Sequence, residues 1–258
     1  MLLNTIKKAK TIIIRSKEGE NNCFVLIAET YKNRRRPDMY DYSVIFDMDG
    51  IIFDSEKACL YCWTEIAERY SLPSIKEVFY KCIGTNKVQS EMIVEEAYSK
   101  QYGDGIAKKL LTESSLLFHE LYDNGNLELK PGVVDILEYL KHKGIKMAVA
   151  SSTRKAVVET ELRDAKLLHY FDKITGGDAV TISKPNPEIY LIACKTLEVD
   201  PNKTFAIEDS FNGIRAAYAA GMRPIMVPDM VPPDEEMKQI SEVICKDLYE
   251  VKSFLDNI

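Results

Sequence analysis

The amino-acid sequence predicts an α/β fold in which helices cover both faces of a parallel β-sheet, with a small helical domain inserted after the first strand of that sheet. Two observations predict this fold. Residues 130–227 alternate helical periodicity with short apolar runs, which is typical of βαβ units and a parallel sheet. Residues 55–129 instead carry apolar positions three and four residues apart, and no strand pattern interrupts them.

The first strand of the predicted sheet is the apolar run 44–46, which ends on two carboxylates. Asp47 and Asp49 follow the run, Gly50 supplies a turn, and apolar residues 51–53 continue behind it. Two carboxylates at the end of a buried strand can divide nucleophilic attack and proton transfer between them, or they can hold a hard cation. This run therefore marks the candidate active site.

Other interpretations of this carboxylate pair are less well supported. An EF-hand loop needs a glycine at position six and a glutamate at position twelve, whereas this run has Gly50 at position four and Ala58 at position twelve. A solvated acidic turn seldom follows an apolar strand with further apolar residues behind it. The Asp-x-Asp of nucleotide-sugar glycosyltransferases, which binds metal only, stays open on this run alone.

Four helices are predicted in the segment that follows the carboxylates. Their apolar periodicity covers residues 56–70, 75–82, 87–102 and 106–122. Asp-Asn-Gly-Asn at 123–126 and Lys-Pro-Gly at 130–132 end the helical segment. We predict a helical cap domain at residues 55–129, and an α/β core formed by residues 41–54 and 130–258.

The second half of the chain is predicted to supply the remaining strands and helices of the core. The strands are 146–150, 172–175, 204–207 and 224–227, and the helices between them are 133–143, 154–166, 187–197 and 213–220. Ser151 follows one strand, Glu208 and Asp209 follow another, and Lys184 precedes a rigid Pro-x-Pro turn. Because an open parallel sheet places its ligand crevice at the carboxyl ends of its strands, we expect these side chains to meet there.

Taken together, these motifs resemble those of the haloacid dehalogenase superfamily, and most closely its sugar-phosphate phosphatases and β-phosphoglucomutases with a small helical cap. The matching residues are Asp47-x-Asp49-Gly50 in the first motif, Ser151 in the second, Lys184 in the third and Glu208-Asp209 in the fourth. The resemblance covers about residues 42–255 and implies a Rossmann-like core. The dehalogenases of this superfamily lack the second acid, so the presence of Asp49 favours phosphoryl transfer over carbon–halogen cleavage.

The resemblance implies a role for each matched residue. Asp47 would attack phosphorus and form an aspartyl-phosphate, while Asp49 would protonate the leaving oxygen and then activate water. Ser151 and Lys184 would hold the phosphoryl oxygens, and Lys184 would also offset the mutual repulsion of the acids. Backbone amides at Met48 and Ser152 would complete the oxyanion cradle.

A divalent cation is the cofactor that the resemblance implies. Mg²⁺ is expected, with Mn²⁺ as the alternative, since both accept oxygen ligands. The Asp47 carboxylate, the Asp49 backbone carbonyl and Asp209 would bind the ion, with Glu208 nearby either as a further ligand or as a neighbour of the ligands.

Substrate choice is expected to lie in the helical cap. Residues 81–87 resemble the specificity loop of the family, so Gly84, Asn86 and Lys87 are candidate substrate contacts. A solvated helix face is an equally supported explanation for Lys81 and Lys87. β-Phosphoglucomutases carry a histidine after the first motif, and by register that position holds Cys59 in this chain. Its absence argues against a mutase.

Three functions are consistent with the sequence. The first is a Mg²⁺-dependent phosphatase acting on a small phosphorylated metabolite, such as a sugar or polyol phosphate. The second is an isomerase of the β-phosphoglucomutase type. The third is a non-catalytic phosphate-binding protein, although the four intact motifs favour an enzyme.

Composition points to a cytoplasmic enzyme that acts on a small phosphorylated metabolite, and a monomer is expected although no pattern in the sequence specifies the oligomeric state. The formal charge of −6 and the pI near 5.3 argue against nucleic acid as a main partner. No apolar stretch reaches the ~20 residues that span a membrane. The start of the chain lacks the order of a secretory signal. The cysteines form no zinc pattern, and Cys59 and Cys62 are predicted to be packed thiols.

The first 40 residues form an extension ahead of the predicted core. They hold nine basic and four acidic side chains, unlike the acidic remainder. Residues 11–15 and 23–30 could be two strands of a hairpin. A basic arm for an acidic partner is one interpretation of this segment, and an appendage without a role in activity is the favoured one.

Overall fold

The computed structural model describes residues 11–14, 25–28, 41–83, 85, 87–123 and 125–258. The chain divides into two units, Met1–Asp41 and Tyr42–Ile258. In the first unit, β1 (Thr11–Ile14) pairs with β2 (Val25–Ala28) in an antiparallel sheet. These strands agree with the two strands predicted in the extension. The other residues of the extension lie outside the described part of the chain, and its role stays a prediction.

The second unit contains the predicted parallel sheet, with six strands in the order β5-β4-β3-β6-β7-β8. The strands are β3 (Ser43–Phe46), β4 (Met147–Ala150), β5 (Lys173–Thr175), β6 (Thr204–Glu208), β7 (Arg223–Met226) and β8 (Val243–Ile244). Every neighbouring pair is parallel, and Phe46 of β3 lies opposite both Val149 and Ile207. The strand β3, which carries the carboxylates, therefore lies in the middle of the sheet.

Helices cover both faces of this sheet, as predicted. They are α5 (Val133–Lys143), α6 (Lys155–Asp164), α7 (Glu188–Leu197), α8 (Phe211–Ala219), α9 (Glu235–Ile240) and α10 (Leu248–Asp256). Ile45 packs in one cluster with residues of α7 and α8, whereas Phe205 of β6 contacts Phe254 of α10 edge to face. Because successive residues of β3 and β6 are all buried, these strands are apolar throughout rather than alternating.

Four helices follow β3 and form the helical insert, residues 55–122. They are α1 (Ser55–Tyr70), α2 (Ile75–Cys82), α3 (Lys87–Tyr102) and α4 (Ile106–Tyr122). Their buried side chains form a separate apolar cluster, in which Trp63 and Phe79 meet edge to face at 5.1 Å between ring centroids. The insert thus has a core of its own.

The two connections between the insert and the sheet run side by side. The Asp54 amide donates to the Glu128 carbonyl at 2.8 Å, and the Lys130 amide donates to the Ile52 carbonyl at 2.9 Å. The Lys130 ammonium also lies 2.6 Å from Asp229 and 3.6 Å from Asp54. The chain therefore leaves and re-enters the core at one place.

The end of the chain holds three elements that the sequence did not predict: β8, α9 and α10. β8 has two residues and α9 has six, so neither is long enough to show a period. α10 follows an N-cap in which Asp247 accepts from the Glu250 amide, and this short signal went unrecognised. Five cysteines of the described residues are free thiols, and Cys62 is buried as predicted, whereas Cys59 is half-buried; the five are Cys59, Cys62, Cys82, Cys194 and Cys245. Within the described residues, no helix combines the length and apolarity needed to cross a membrane.

Candidate active site at the carboxyl ends of the central strands

Three neighbouring strands bring the predicted acids and serine together. Asp47 directly follows β3, Ser151 directly follows β4, and Glu208 ends β6 with Asp209 after it. The Asp47 amide donates to the Ile207 carbonyl at 2.9 Å, which continues the ladder one residue beyond the strand. The sheet therefore fixes the backbone at Asp47 before any side chain contributes.

Lys184 reaches this edge of the sheet from the loop before α7. Its ammonium lies 2.6 Å from Asp47 Oδ1 and 2.5 Å from Glu208 Oε1, and it donates to the Ala150 carbonyl at 3.3 Å. The Lys184 side chain is only 7% exposed, so these contacts form away from bulk water. The ammonium thus lies between the predicted nucleophile and the first acid of the fourth motif.

Asp49 contacts two hydroxyl side chains that follow β4. Its Oδ2 accepts from the Thr153 hydroxyl at 3.1 Å and from the Ser151 hydroxyl at 3.4 Å. Ser151 is held in turn, because its Oγ accepts from the Thr153 amide at 3.0 Å. The Asp49 carboxylate is therefore oriented by two hydroxyls, whereas the ion pairs described for Lys184 are with Asp47 and Glu208.

Gly50 is the residue that lets the first motif approach the fourth. Its φ of +75° lies in the left-handed region, and a Cβ at this position would lie 2.4 Å from Asp209 Oδ2. Its amide donates to the Phe53 carbonyl at 3.0 Å and closes the turn. A side chain at this position would therefore require the Asp209 carboxylate to shift.

The three carboxylates of Asp47, Glu208 and Asp209 form a buried acidic cluster, in which one oxygen from each lies within 4.8 Å of the others. Burial, against the opposing charge of Lys184 and with the charges of Glu208 and Asp49, raises the pKa of Asp47 to about 8. Burial, followed by the charges of Glu208 and Asp47, also raises the pKa of Asp209 well above its ordinary value. If all three carboxylates were ionised, they would carry more negative charge than the single Lys184 ammonium offsets, and this repulsion disfavours their charged forms.

A divalent cation fits this donor set. The cluster offers carboxylate oxygens, which Mg²⁺ and Mn²⁺ prefer, and it contains no thiol or imidazole that would favour zinc. Burial lowers the pKa of Lys184, but the neighbouring Asp47 and Glu208 charges outweigh burial and raise it, so this ammonium stays charged. A divalent cation would bring the three carboxylates of the cluster and the Lys184 ammonium close to charge balance.

The remaining predicted contacts lie outside this cluster. The Met48 side chain is buried, and its carbonyl accepts from the Ile52 amide at 2.8 Å within the turn. The Ser152 side chain is exposed, and Lys87 is exposed at the start of α3. Gly84 and Asn86 lie outside the described residues. The structure therefore brings together Asp47, Asp49, Ser151, Lys184, Glu208 and Asp209, and it leaves the roles of the others as predictions.

Two residues that contact the site were missed by the sequence analysis. Thr153 donates to Asp49, and Tyr190 donates to Glu208 Oε1 at 2.8 Å. Thr153 follows Ser151 and Ser152 in a run of hydroxyl side chains, which was a usable signal. Tyr190 lies on the apolar face of α7, where an aromatic residue predicts packing only.

A cavity of about 240 Å³ opens beside Asp209. Tyr80 and Ile83 line it from the helical insert, and Phe211 and Arg215 line it from α8. The cavity combines apolar rings with a guanidinium group, next to a member of the acidic cluster. It offers room for a small organic group near the carboxylates.

Comparison with known proteins places the chain in a family. A family model described as haloacid dehalogenase-like hydrolase matches residues 44–227. The chain is 36% identical over 184 residues to the phosphorylated carbohydrates phosphatase of Thermotoga maritima, covering 71% of this chain and 83% of that protein. It is 29% identical to the β-phosphoglucomutase of Bacillus subtilis, covering 81% of this chain and 94% of that protein.

Solved structures agree with these sequence matches. The crystal structure of CbbY from Rhodobacter sphaeroides in complex with phosphate superposes with a TM-score of 0.66 at 28% identity, covering 81% of this chain and 96% of that chain. The predicted resemblance is thereby confirmed. The chain belongs to the haloacid dehalogenase-like hydrolases, among relatives that include β-phosphoglucomutases and phosphatases of phosphorylated carbohydrates.

Proposed function

We propose that the chain is a Mg²⁺-dependent phosphatase that hydrolyses small phosphorylated carbohydrates through an aspartyl-phosphate intermediate. The observation that supports this most directly is the contact of one buried ammonium, Lys184, with Asp47 at 2.6 Å, beside a separately oriented Asp49. Two carboxylates held in different environments can take the two roles that phosphate-ester hydrolysis needs. The carbohydrate substrate is suggested by the relatives, whose names include a phosphorylated carbohydrates phosphatase.

Asp47 is the proposed nucleophile. A carboxylate oxygen of Asp47 forms a bond to phosphorus while the bond from phosphorus to the alcohol oxygen breaks, and Asp49 gives its proton to that oxygen. In the second step, Asp49 takes a proton from water, and the water oxygen attacks phosphorus and releases Asp47 and inorganic phosphate. Each proton that Asp49 gives in the first step is regained in the second, so the enzyme returns to its starting state.

The remaining residues hold the phosphoryl group. Lys184 contacts Asp47 and would neutralise a phosphoryl oxygen, and the Ser151 hydroxyl would donate to another. The backbone amides at Met48 and Ser152 are the proposed further donors. Thr153 orients Asp49 for proton transfer through its 3.1 Å hydrogen bond.

Asp47, Asp209 and the Asp49 backbone carbonyl would hold Mg²⁺, with Glu208 in contact with the same cluster. When bound, the cation supplies positive charge that offsets the buried carboxylates and the phosphoryl oxygens. The same ligands would also accept Mn²⁺.

Cation binding should stabilise the protein measurably. We expect saturating Mg²⁺ to raise Tm by about 5 °C in thermal unfolding, because it binds the folded state only.

The stability of the cation-free protein should also depend on pH through Asp47. The pKa of Asp47 is about 8 in the fold, against an ordinary 3.8, so the folded protein holds an extra proton between these values. Without the cation, stability should therefore fall as the pH rises through this window. Mg²⁺ competes with that proton, so its effect should be larger at about pH 8 than at about pH 6.

The Asp209→Asn variant is the control for this thermal measurement. It removes one ligand without adding bulk, so the Mg²⁺-dependent rise in Tm should shrink to near zero. An equal rise in the wild type and in Asp209→Asn would contradict the proposed ligand set, as would no rise in the wild type at either pH.

The helical insert is the proposed cap, within the domain boundaries predicted from the sequence. Its two connections to the core, at Asp54 and Lys130, are held together by hydrogen bonds and ion pairs. The cap would close over the carboxylates and exclude water during the first step. Gly84, Asn86 and Lys87 remain proposed contacts to the leaving group.

A β-phosphoglucomutase activity is the second candidate, because one of the relatives carries that name. The position that corresponds to the mutase histidine is Cys59, a half-buried thiol. Burial, followed by the charges of Glu56 and Asp49, raises the pKa of Cys59 well above its ordinary value. A thiol that stays neutral cannot replace a charged imidazole, so the hydrolase is the better-supported proposal.

Phosphate release from a panel of sugar, polyol, nucleotide and small-acid phosphates tests the proposal. We expect release to require Mg²⁺ or Mn²⁺, to stop with chelator, and to be fastest with sugar or polyol phosphates. Conversion of a sugar 1-phosphate to a 6-phosphate without phosphate release would establish the mutase instead. Phosphate binding without turnover of any substrate would establish a binding protein.

A further inference from the structure

Tyr190 is a fully buried residue of α7 whose hydroxyl contacts the acidic cluster. Its hydroxyl donates to Glu208 Oε1 at 2.8 Å, and its ring lies 5.2 Å from the Lys184 ammonium. Glu208 is also fully buried. No step of the proposed reaction uses Tyr190, although its buried hydroxyl contacts Glu208 and its ring lies beside Lys184.

Both carboxylate oxygens of Glu208 are occupied by protein donors. Oε1 accepts from Lys184 and Tyr190, and Oε2 accepts from the Ser210 amide at 3.2 Å and the Ser210 hydroxyl at 3.1 Å. A Cβ at Gly213 would lie 1.9 Å from this carboxylate. The backbone of α8 at Gly213 therefore packs directly against Glu208. Glu208 is therefore fixed from every side by the protein itself.

The contacts of Glu208 suit a residue that holds Lys184 better than one that binds a cation. A carboxylate ligand needs a free lone pair directed at the ion, whereas here four donors already share two oxygens. Asp209 is different, because its carboxylate lies against Gly50 and has no comparable set of donors among the described contacts. Within the fourth motif, we therefore expect Glu208 to hold Lys184 and Asp209 to bind the cation.

We propose that Tyr190 is a positioning residue, which holds Glu208 by its hydroxyl and thereby keeps the Lys184 ammonium against Asp47. This inference rests on the proposed phosphatase function. With the hydroxyl present, Oε1 shares its negative charge between two donors. Without it, Lys184 becomes the sole partner of Oε1, and the ammonium moves towards Glu208 and away from Asp47 and the phosphoryl group.

The Tyr190→Phe variant tests the hydroxyl alone, since the ring and its packing remain. We expect kcat/KM for phosphate release to fall about tenfold, as for other residues that orient groups at a site. The dissociation constant for inorganic phosphate, measured by titration calorimetry, should rise by a similar factor. The Mg²⁺ concentration for half-maximal activity should stay unchanged, because Glu208 holds Lys184 and not the ion.

Tyr98→Phe is the matched control. Tyr98 is a buried tyrosine of the helical insert whose hydroxyl donates to the Pro73 carbonyl at 2.7 Å. Its loss should lower Tm by a few degrees and leave kcat/KM and phosphate affinity unchanged. Comparing the two variants separates the loss of a buried hydrogen bond from the loss of a positioned ammonium.

Two results would overturn the inference. Tyr190→Phe could lower Tm as Tyr98→Phe does, with kcat/KM and phosphate affinity intact, and Tyr190 would then be structural only. Alternatively, the Mg²⁺ requirement could rise while phosphate affinity stays constant, and Glu208 would then act through the ion. Failure of the phosphatase proposal is distinguishable, because the wild type would then release no phosphate, whereas phosphate binding would still report on Tyr190.

Discussion

Asp47→Asn is expected to lower kcat for phosphate release by about 10⁴-fold or more, because an amide cannot form the aspartyl-phosphate. The substitution keeps the shape of the side chain and leaves Oδ1 able to accept from Lys184. The pKa of Asp47 is raised to about 8 because burial disfavours the charged form, so a neutral amide should not weaken the fold. Phosphate release and Tm, measured on the same preparation, check both parts of this expectation.

Asp172→Asn is the control for this variant. Asp172 accepts from the Met147 amide at 2.9 Å, at the opposite end of β4 from Ser151, so the same chemical change occurs away from the reacting atoms. We expect its kcat to match that of the wild type. An Asp47→Asn enzyme with a tenth or more of wild-type activity would require another nucleophile and would refute the assignment.

The central part of the site was predictable because most of the catalytic candidates stand at or just after the end of a strand, whereas Lys184 is marked by the Pro-x-Pro turn that follows it. A buried parallel strand is apolar throughout, so a polar residue after it is visible in the sequence. Asp47 and Ser151 follow such runs, and the order of strands then brings them together. The helices α2, α3, α4 and α5 have the bounds predicted for them, because each has a clear apolar period between turn residues.

The supporting contacts were not predictable from local patterns. Tyr190 lies at an apolar position of α7, and only the packing of α7 against the central sheet turns its hydroxyl towards Glu208. Thr153 contacts Asp49 across more than 100 residues of chain. The strand β8 exists only through its pairing with β7. Contacts of this kind depend on tertiary structure, so a sequence can indicate the elements without indicating which side chains meet.

Asp49→Asn should separate substrates by their leaving groups. An alkyl alcohol leaves poorly without a proton, so we expect kcat/KM for sugar and polyol phosphates to fall by about 10²–10⁴-fold. The leaving group of p-nitrophenyl phosphate is stable as an anion, so kcat/KM for this substrate should fall by about tenfold or less. The ratio of kcat/KM between the two classes, in variant and wild type, is the measurement.

The comparison must use kcat/KM, because Asp49 is also the proposed base for the second step. Breakdown of the aspartyl-phosphate should become slow in Asp49→Asn, and kcat would then be equally low for every substrate. An aryl phosphate should consequently give a burst of one equivalent of nitrophenol, with an added phosphoryl group detectable by intact mass. An equal loss of kcat/KM for aryl and alkyl substrates would remove the acid role, whereas Asp172→Asn should leave both values unchanged. A burst together with a leaving-group effect would assign both proton transfers to Asp49, the carboxylate that accepts hydrogen bonds from Ser151 and Thr153.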